Sequence, residues 1–374
     1  MNRERLLVIS PWPPPTDGIG EHTRNLVEQW AGRYEVHIIA QGRGGEETVA
    51  VGGEDVHIRR CLGRGARAVE EAIGEIEASW AYVQYSISSY GTSLRSVHRA
   101  GRVLRESGVP YSVGYHEPSR EPQALPVIGG MIYRNMTGLG GRAVVFSRNG
   151  GADLKTITGQ SAVVVPHGTK TVRAEPEEIE VIREELGEQT TLLVFGFIHP
   201  DKGVGHLIEA AHHLRQQGRA CTVVVAGEVR ERRGVFKLKE RGDRRHLEEL
   251  RTLAEKLGVE ARFTGHVESR MIGAYLKAAD LNILPYTNGT QSGVASLLVG
   301  AERGVVASDL PGLREQLGEA AVYAKAGQSE DLARAIGAAL ETGRRRDLEE
   351  AARGRAAETR YAEVAGRIEE ITRS

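Results

Sequence analysis

A glycine-rich segment near the middle of the chain carries a lysine in a position that could bind phosphate. This segment, residues 195–203, follows an apolar run and precedes an amphipathic helix pattern, with Lys202 just before the helix. A flexible ammonium group beside the free N–H groups of a helix N-terminus attracts anions. An isolated lysine is usually a solvated surface residue. The coincidence of strand, glycine, lysine and helix nevertheless favours a phosphate site at Lys202.

A second polar loop, residues 285–293, also lies between an apolar run and a helix pattern. One interpretation is structural, because a single hydroxyl from Thr290 or Ser292 would cap the helix. The other is ligand binding, which we favour because the loop offers several polar groups where a cap needs one. The candidate ligand groups are Gln291 and Ser292, together with the backbone N–H groups of Ser292, Gly293 and Val294.

The first apolar run of the chain leads into a third candidate loop, which contains Gly18 and Gly20. A Gly-x-Gly turn that opens a helix leaves backbone N–H groups free to approach a ligand. The loop is not the dinucleotide-binding fingerprint, because Thr23 stands where the third glycine would be. A purely structural turn is the competing interpretation.

One histidine follows a predicted strand directly, and the strand is residues 111–115. The neutral ring of His116 could donate to or accept from a bound hydroxyl near pH 7. A lone histidine is more often structural, so the local pattern leaves both roles open. Neither His-x-x-x-His nor Cys-x-x-Cys spacing occurs in the chain, so the sequence predicts no metal site.

Residues 229–245 form a locally basic segment after a predicted strand. A solvated surface is the usual explanation of such a run. The alternatives are contact with an anionic substrate, a phospholipid or a partner protein.

Strand-sized and helix-sized segments alternate along the chain and must position these loops. The predicted strands are residues 5–10, 34–40, 56–61, 82–85, 111–115, 143–147 and 162–165 in the first series, and 190–195, 221–226, 261–264, 281–284, 305–308 and 320–323 in the second. Several are continuous apolar runs, which is typical of parallel strands covered on both faces. Two such series predict two doubly wound α/β domains.

Length and composition agree with this organisation. A chain of 374 residues with 40% hydrophobic and 26% charged residues is typical of a globular protein with two domains. The formal charge of -1 gives no global field for nucleic acid, and two cysteines fit a reducing compartment. No apolar stretch approaches the roughly 20 residues of a membrane span, and the N-terminus predicts no signal peptide. The expected location is the cytoplasm.

Taken together, the loops resemble those of the GT-B glycosyltransferases, specifically the retaining family 4, also called glycosyltransferase group 1. The resemblance covers nearly the whole chain. Its marks are segments 14–20, 165–168, 196–203, 225–228, 263–267, 278–280 and 305–309, with His116 between the first two. It implies two Rossmann-like domains facing across a cleft, a nucleoside-diphosphate sugar as donor, retention of anomeric configuration and no metal ion. It also implies donor-binding positions at Glu228 and His266, and catalytic positions at His116 and Lys202.

The chain departs from the family pattern at three positions. Phe197 replaces an arginine of the phosphate loop, and His199 is the nearest candidate substitute. Gly289 and Leu297 replace two glutamates that bind the donor sugar and the ribose. Because the charged acceptors are missing, we expect the uncharged groups of Gln291 and Ser292, with neighbouring amides, to hold the donor.

The leading hypothesis is therefore a glycosyltransferase that uses a nucleoside-diphosphate sugar and a hydroxyl acceptor, which is a glycan, a lipid-linked sugar or a small molecule. A nucleotide-sugar epimerase and a degenerate GT-B protein that only binds nucleotide or a partner are the alternatives. The expected domains are 1–170, completed by a C-terminal helix at 355–374, and 171–354 on the donor side. The basic segment would allow peripheral contact with an anionic membrane surface. The other interpretation of the charged tail is a solvated surface helix.

Overall fold

The computed structural model describes residues 3–13, 18–42, 44–116, 118, 126–230, 237–288 and 292–374. The chain divides into two compact units. Unit 1 comprises Met1–Gly168 together with Thr359–Ser374, and unit 2 comprises Thr169–Glu358. The C-terminal segment therefore returns to the first unit. None of the described helices is long and apolar enough to cross a bilayer.

Unit 1 is built on an eight-stranded sheet with the order β3-β4-β2-β1-β5-β6-β7-β8. Its strands are β1 (Arg5–Ile9), β2 (Glu35–Ala40), β3 (Glu46–Val51), β4 (Glu54–Arg60), β5 (Trp80–Tyr85), β6 (Tyr111–Tyr115), β7 (Arg142–Val145) and β8 (Val163–Val164). All neighbours pair in parallel except β3, which pairs antiparallel with β4. The sequence pattern does not predict β3, because this edge strand leaves most of its side chains exposed and has no apolar run.

The helices of unit 1 cover both faces of its sheet and bury two hydrophobic cores. They are α1 (Gly18–Trp30), α2 (Ala66–Ile76), α3 (Ile87–Tyr90), α4 (Leu94–Ser107), α5 (Pro126–Thr137), α6 (Arg148–Thr158) and the C-terminal α15 (Tyr361–Arg373). Helix α15 buries Val364, Ala365 and Ile368 in the same core as Trp30 of α1. It is therefore an integral helix of unit 1 and not a solvated tail.

Unit 2 contains a fully parallel six-stranded sheet with the order β11-β10-β9-β12-β13-β14. Its strands are β9 (Thr190–Phe195), β10 (Cys221–Ala226), β11 (Ala261–Phe263), β12 (Leu281–Leu284), β13 (Val305–Ser308) and β14 (Ala321–Ala324). Its helices are α7 (Pro176–Leu186), α8 (Val204–Gln216), α9 (Lys237–Leu257), α10 (Ile272–Ala278), α11 (Gly293–Gly300), α12 (Pro311–Leu317), α13 (Ser329–Ala339) and α14 (Arg344–Thr359), the last of which continues one residue into unit 1. Two α/β units with essentially parallel sheets confirm the predicted fold class.

The strand order decides where a ligand can bind in unit 2. Its first three strands run outward from β9, and the chain then returns to place β12 on the other side of β9. The order therefore reverses between β9 and β12, and open parallel sheets bind ligands at such a point, beside the carboxyl ends of the strands. The loops that follow β9 and β12 are the two segments in which the sequence predicts a phosphate site and a donor site.

Candidate functional site

Backbone contacts join the loop after β9 (the β9 loop, residues 196–203) to the loop after β12 (the β12 loop, residues 285–292). The N–H group of Thr287 donates to the carbonyl oxygen of Asp201 at 3.0 Å. Gly203 has a φ of +64°, and a Cβ atom there would lie 1.8 Å from the carbonyl oxygen of Pro285. Only glycine permits this close approach, so the two loops form one surface.

Lys202 reaches across this surface to Tyr286. Its Nζ atom donates to the Tyr286 hydroxyl at 2.6 Å and lies 3.9 Å from the centroid of the ring. No carboxylate in the described part of the chain forms an ion pair with Lys202. Burial lowers the pKa of Lys202 to about 8, because the charge loses solvation and no described carboxylate offsets that loss. An anion bound here would supply that compensation.

Ser292 continues the network and begins helix α11. Its hydroxyl lies 3.2 Å from the Tyr286 hydroxyl and accepts the N–H group of Ala295 at 3.3 Å. Ser292 is therefore the N-cap of α11, as the structural interpretation of this loop predicted. Its side chain also contacts the tyrosine that binds Lys202, so capping and membership of the site are compatible.

Two of the three backbone N–H groups predicted to bind the ligand, those of Ser292, Gly293 and Val294, are available for it. The N–H group of Ser292 donates to Oε1 of Gln316 at 2.8 Å, so it is not available to a ligand. The N–H groups of Gly293 and Val294 have no acceptor among the residues that the structure describes. They occupy the first positions of an eight-residue helix, where the helix dipole favours an anion. Gln316 and Tyr286 also belong to this site, and no local sequence pattern predicts either of them.

The other expected donor-binding side chains in unit 2 interact with neighbouring residues. His266 Nδ1 lies 2.9 Å from Oε1 of Glu228, and both side chains are exposed at the carboxyl edge of the sheet. His199 Nδ1 lies 3.8 Å from a carboxylate oxygen of Asp201. Gln291 lies outside the described residues, so its assignment stays a prediction.

Phe197 occupies the position where the resemblance implies an arginine. Its side chain is 41% exposed, which is unusual for a large apolar residue. The guanidinium carbon of Arg230, from the loop after β10, lies 4.4 Å from the centroid of this ring. A positive charge is therefore present beside the β9 loop, although it comes from a different segment of the chain.

Unit 1 places His116 in a cluster of rings at the carboxyl edge of its own sheet. His116 Nε2 lies 2.5 Å from Oε1 of Gln84, at the end of β5. The rings of His22, Phe146 and His167 surround it, with centroids 5.6, 4.4 and 5.7 Å from the His116 ring. The prediction singled out His116 alone, since its partners come from four other segments of the chain.

Burial controls the protonation of this cluster. It lowers the pKa of His116 well below the usual value, and the neighbouring His167 lowers it further. Burial also lowers the pKa of His22, with smaller contributions from His167 and His116. His22 Nδ1 is hydrogen-bonded to the Tyr361 hydroxyl of α15 at 3.1 Å. Neutral rings at pH 7 can hydrogen-bond an uncharged hydroxyl, but they cannot serve as cations for a phosphate.

The two glycines expected to open the first helix lie inside it. Helix α1 begins at Gly18, so Gly18 is its first residue and Gly20 its third. Gly20 is buried, and a Cβ atom there would lie 3.1 Å from the carbonyl oxygen of Pro11. The need for glycine at this position is thus explained by packing of the helix against the backbone.

Among the described residues, no group of three histidine, cysteine, aspartate or glutamate side chains could hold a metal ion. The positive charge of the site in unit 2 comes from Lys202, from the α11 amides and, nearby, from Arg230.

A comparison of the sequence with protein families matches residues 189–342 to the model "Glycosyl transferases group 1". These residues lie within unit 2 and include both loops of the site. The match supports a group 1 glycosyltransferase, whereas membership of family 4 and the variant loop stay predictions. A search of curated proteins finds no match to the sequence.

Solved structures resemble the whole chain. HepE of Anabaena in complex with UDP superposes with a TM-score of 0.69 at 18% identity, covering 98% of each chain. Sucrose-phosphate synthase from Thermosynechococcus elongatus gives a TM-score of 0.70 at 16% identity, covering 99% of this chain and 98% of its own. An α,α-trehalose-phosphate synthase (UDP-forming) from Burkholderia xenovorans, in complex with glucose-6-phosphate, gives 0.71 at 11%, covering 99% and 100%. These likenesses show the fold and confirm that it is GT-B.

Proposed function

We propose that the protein transfers a sugar from a nucleoside-diphosphate sugar to an acceptor hydroxyl. The observation that carries this proposal is the ammonium group of Lys202, which has no carboxylate partner among the described residues and lies at the switch point of the sheet in unit 2. The N–H groups of Gly293 and Val294, which have no acceptor among the described residues, lie at the start of helix α11 beside the same surface. A diphosphate satisfies both features. The family match over residues 189–342, and the UDP and UDP-glucose complexes of HepE, support a nucleoside-diphosphate sugar as its source.

In the proposed reaction, the bond between the anomeric carbon of the sugar and the phosphate oxygen breaks, and the acceptor oxygen bonds to that carbon. Negative charge develops on the leaving diphosphate, where Lys202 and the α11 amides would stabilise it. The proton of the acceptor hydroxyl passes to the leaving phosphate oxygen. Attack from the face of the departing group gives retention, as the family resemblance implies. We propose that protein groups replace a metal ion at the diphosphate.

His116 has a different role in this proposal, because its ring is neutral. Gln84 Oε1 lies within hydrogen-bonding distance of Nε2 and fixes the ring orientation. We assign His116 to a hydroxyl of the donor sugar or of the acceptor. The acceptor is a sugar or another hydroxyl compound, in line with the glucose-6-phosphate complex of the Burkholderia relative. We propose a cytoplasmic location for the protein and peripheral contact of its basic segment, residues 229–245, with an anionic membrane surface.

Turnover with a panel of nucleotide sugars tests the function. The purified protein is incubated with UDP-, GDP- and ADP-sugars and a mixture of sugar acceptors, and the release of nucleoside diphosphate and the formation of product are measured. We expect release with at least one donor. Conversion of the donor into its epimer, without release, would identify an epimerase. Tight binding without any conversion would identify a degenerate protein.

Two variants test the site. We expect Lys202→Met to reduce kcat/KM about 10- to 100-fold, because a charge-assisted contact is worth roughly 1.5–3 kcal/mol. Lys277→Met, which alters another half-buried lysine of unit 2, serves as the control. His116→Ala should lower turnover while leaving the affinity for a nucleoside diphosphate unchanged. Equal activity of Lys202→Met and the wild type would remove Lys202 from the site.

A further inference from the structure

The stack of Arg230 on Phe197 lies on two loops that are fixed to each other. The N–H group of Gly196 donates to Ala226 O at 3.0 Å, and that of Ile198 donates to Glu228 O at 2.9 Å. Gly227 approaches so closely that a Cβ atom there would lie 2.0 Å from the carbonyl oxygen of Gly196. Backbone hydrogen bonds therefore hold the loop after β10 against the β9 loop. The side chains of Phe197 and Arg230 extend from these two connected backbones.

Arg230 differs from most of the other cations that lie over an aromatic ring in the described part of the chain. Three of the arginines over rings also form an ion pair with a carboxylate. These pairs are Arg33 with Glu369, Arg251 with Glu248 and Arg314 with Asp309. Lys202 over Tyr286 and Arg230 over Phe197 have no carboxylate partner among the described residues. Lys202 belongs to the β9 loop, and Arg230 stacks on Phe197 of the same loop.

The chemistry of a stacked guanidinium explains what this arrangement can do. An aromatic ring interacts with the flat face of the guanidinium and leaves its N–H groups, which lie in the plane, free to bind. Those N–H groups match two oxygens of a phosphate, so one arginine can make two parallel hydrogen bonds. The exposed Phe197 ring thus supports the arginine without neutralising its charge.

We infer that Arg230, supported by Phe197, binds the same diphosphate as Lys202 and contacts it from the opposite side of β9. This inference rests on the proposed function and adds to it a contact from outside the two loops of the site. Lys202 lies toward β12, whereas Arg230 follows β10, and β9 separates these two strands in the sheet. The two cations then share the negative charge of the ligand.

Binding of nucleoside diphosphates by an arginine variant tests the inference. The affinities of UDP, GDP, ADP and the corresponding nucleosides are measured by calorimetry for the wild type and for Arg230→Gln. We expect the diphosphate that the wild type binds best to bind about 10- to 100-fold more weakly to the variant. The affinity of the nucleoside should not change, because it lacks the phosphates.

The matched control is Arg251→Gln, which removes a positive charge from another arginine of unit 2 that lies over an aromatic ring. Among the described residues Arg251, unlike Arg230, forms an ion pair, with Glu248. The Arg251→Gln variant should bind the diphosphate as the wild type does. The double variant Phe197→Arg with Arg230→Gln returns a guanidinium to the β9 loop and should recover at least part of the affinity. A recovery would not follow if the substitution of Arg230 had only disturbed the fold.

The outcomes separate this inference from the proposed function. If the wild type binds a nucleoside diphosphate and Arg230→Gln binds it equally well, the inference is wrong and the proposed function stands. If the variant instead loses binding to vesicles of phosphatidylglycerol, Arg230 belongs to a membrane contact, and the inference is equally overturned. If the wild type binds no nucleoside diphosphate, both proposals fail.

Discussion

The side-chain amide of Gln316 is hydrogen-bonded to both backbone groups of Ser292. Oε1 accepts the N–H group of Ser292 at 2.8 Å, and Nε2 donates to its carbonyl oxygen at 3.1 Å. Gln316 belongs to α12, and two hydrogen bonds from Arg355 of α14 hold the end of that helix. Gln316 thereby holds the start of α11, where the N–H groups of Gly293 and Val294 have no acceptor among the described residues.

This relationship predicts that Gln316 positions the site without touching the ligand. Gln316→Leu removes two hydrogen bonds to Ser292 and leaves its buried N–H group unpaired, so we expect kcat/KM to fall about tenfold. The loss should appear mainly in KM for the donor, because the amides at the start of α11 would bind it less well. Gln316→Glu, which keeps the acceptor, should restore part of the affinity. If Gln316→Leu lowers the melting temperature but leaves the kinetics unchanged, Gln316 has only a structural role.

The lowered pKa of Lys202 predicts a pH dependence of donor binding. Its value of about 8 means that the free protein loses the ammonium charge as the pH rises above 8, whereas a bound diphosphate favours the charged form. The affinity for nucleoside diphosphate should therefore fall between pH 8 and pH 10, and binding in this range should take up protons. Calorimetry in two buffers of different ionisation enthalpy measures that uptake. Lys202→Met should abolish it, and an uptake that persists in this variant would assign the proton to another group.

The histidine cluster predicts a loss of stability in acid. The pKa values of His22 and His116 are lowered in the folded protein, so the unfolded chain binds protons more readily once the pH falls below about 6.5. The stabilising contribution of the neutral rings is therefore complete above this pH and is lost progressively below it. We expect the melting temperature to fall from pH 7 to pH 5, and less steeply in His22→Asn. His213→Asn, on α8, is the control, and equal slopes in all three proteins would contradict the prediction.

The close approach at Gly203 predicts a strong effect of a single methyl group. Gly203→Ala would force an alanine into a φ of +64° and against the Pro285 carbonyl oxygen, so we expect it to destabilise the fold by more than about 1 kcal/mol and to separate the two loops. Gly205→Ala is the matched control, since the nearest atoms to its Cβ lie 3.7 Å away. This substitution lies in α8 and should stabilise by up to about 1 kcal/mol. Denaturant unfolding measures both, and similar values for the two variants would refute the account.

The sequence by itself determined most of the elements and their class, although not the exposed edge strand β3. Buried strands such as Cys221–Ala226 are continuous apolar runs, and α8 repeats its apolar residues at helical spacing, so burial leaves a local pattern that can be read directly. Lys202 was also predicted from its local setting, because strand, glycine and helix are neighbours in the chain. The resemblance to GT-B proteins rested on the same kind of short segments.

Only the tertiary structure decided which side chains meet. Gln316 and Ser292 are far apart in the chain, and so are Arg230 and Phe197, or His22 and Tyr361. No local pattern encodes such pairs, since they depend on the order of strands in each sheet and on the helix that returns from the C-terminus. The same order leaves Lys202 and Arg230 without carboxylate partners in the described part of the chain. The sequence thus located the phosphate loop, and the packing of distant segments supplied the groups around it.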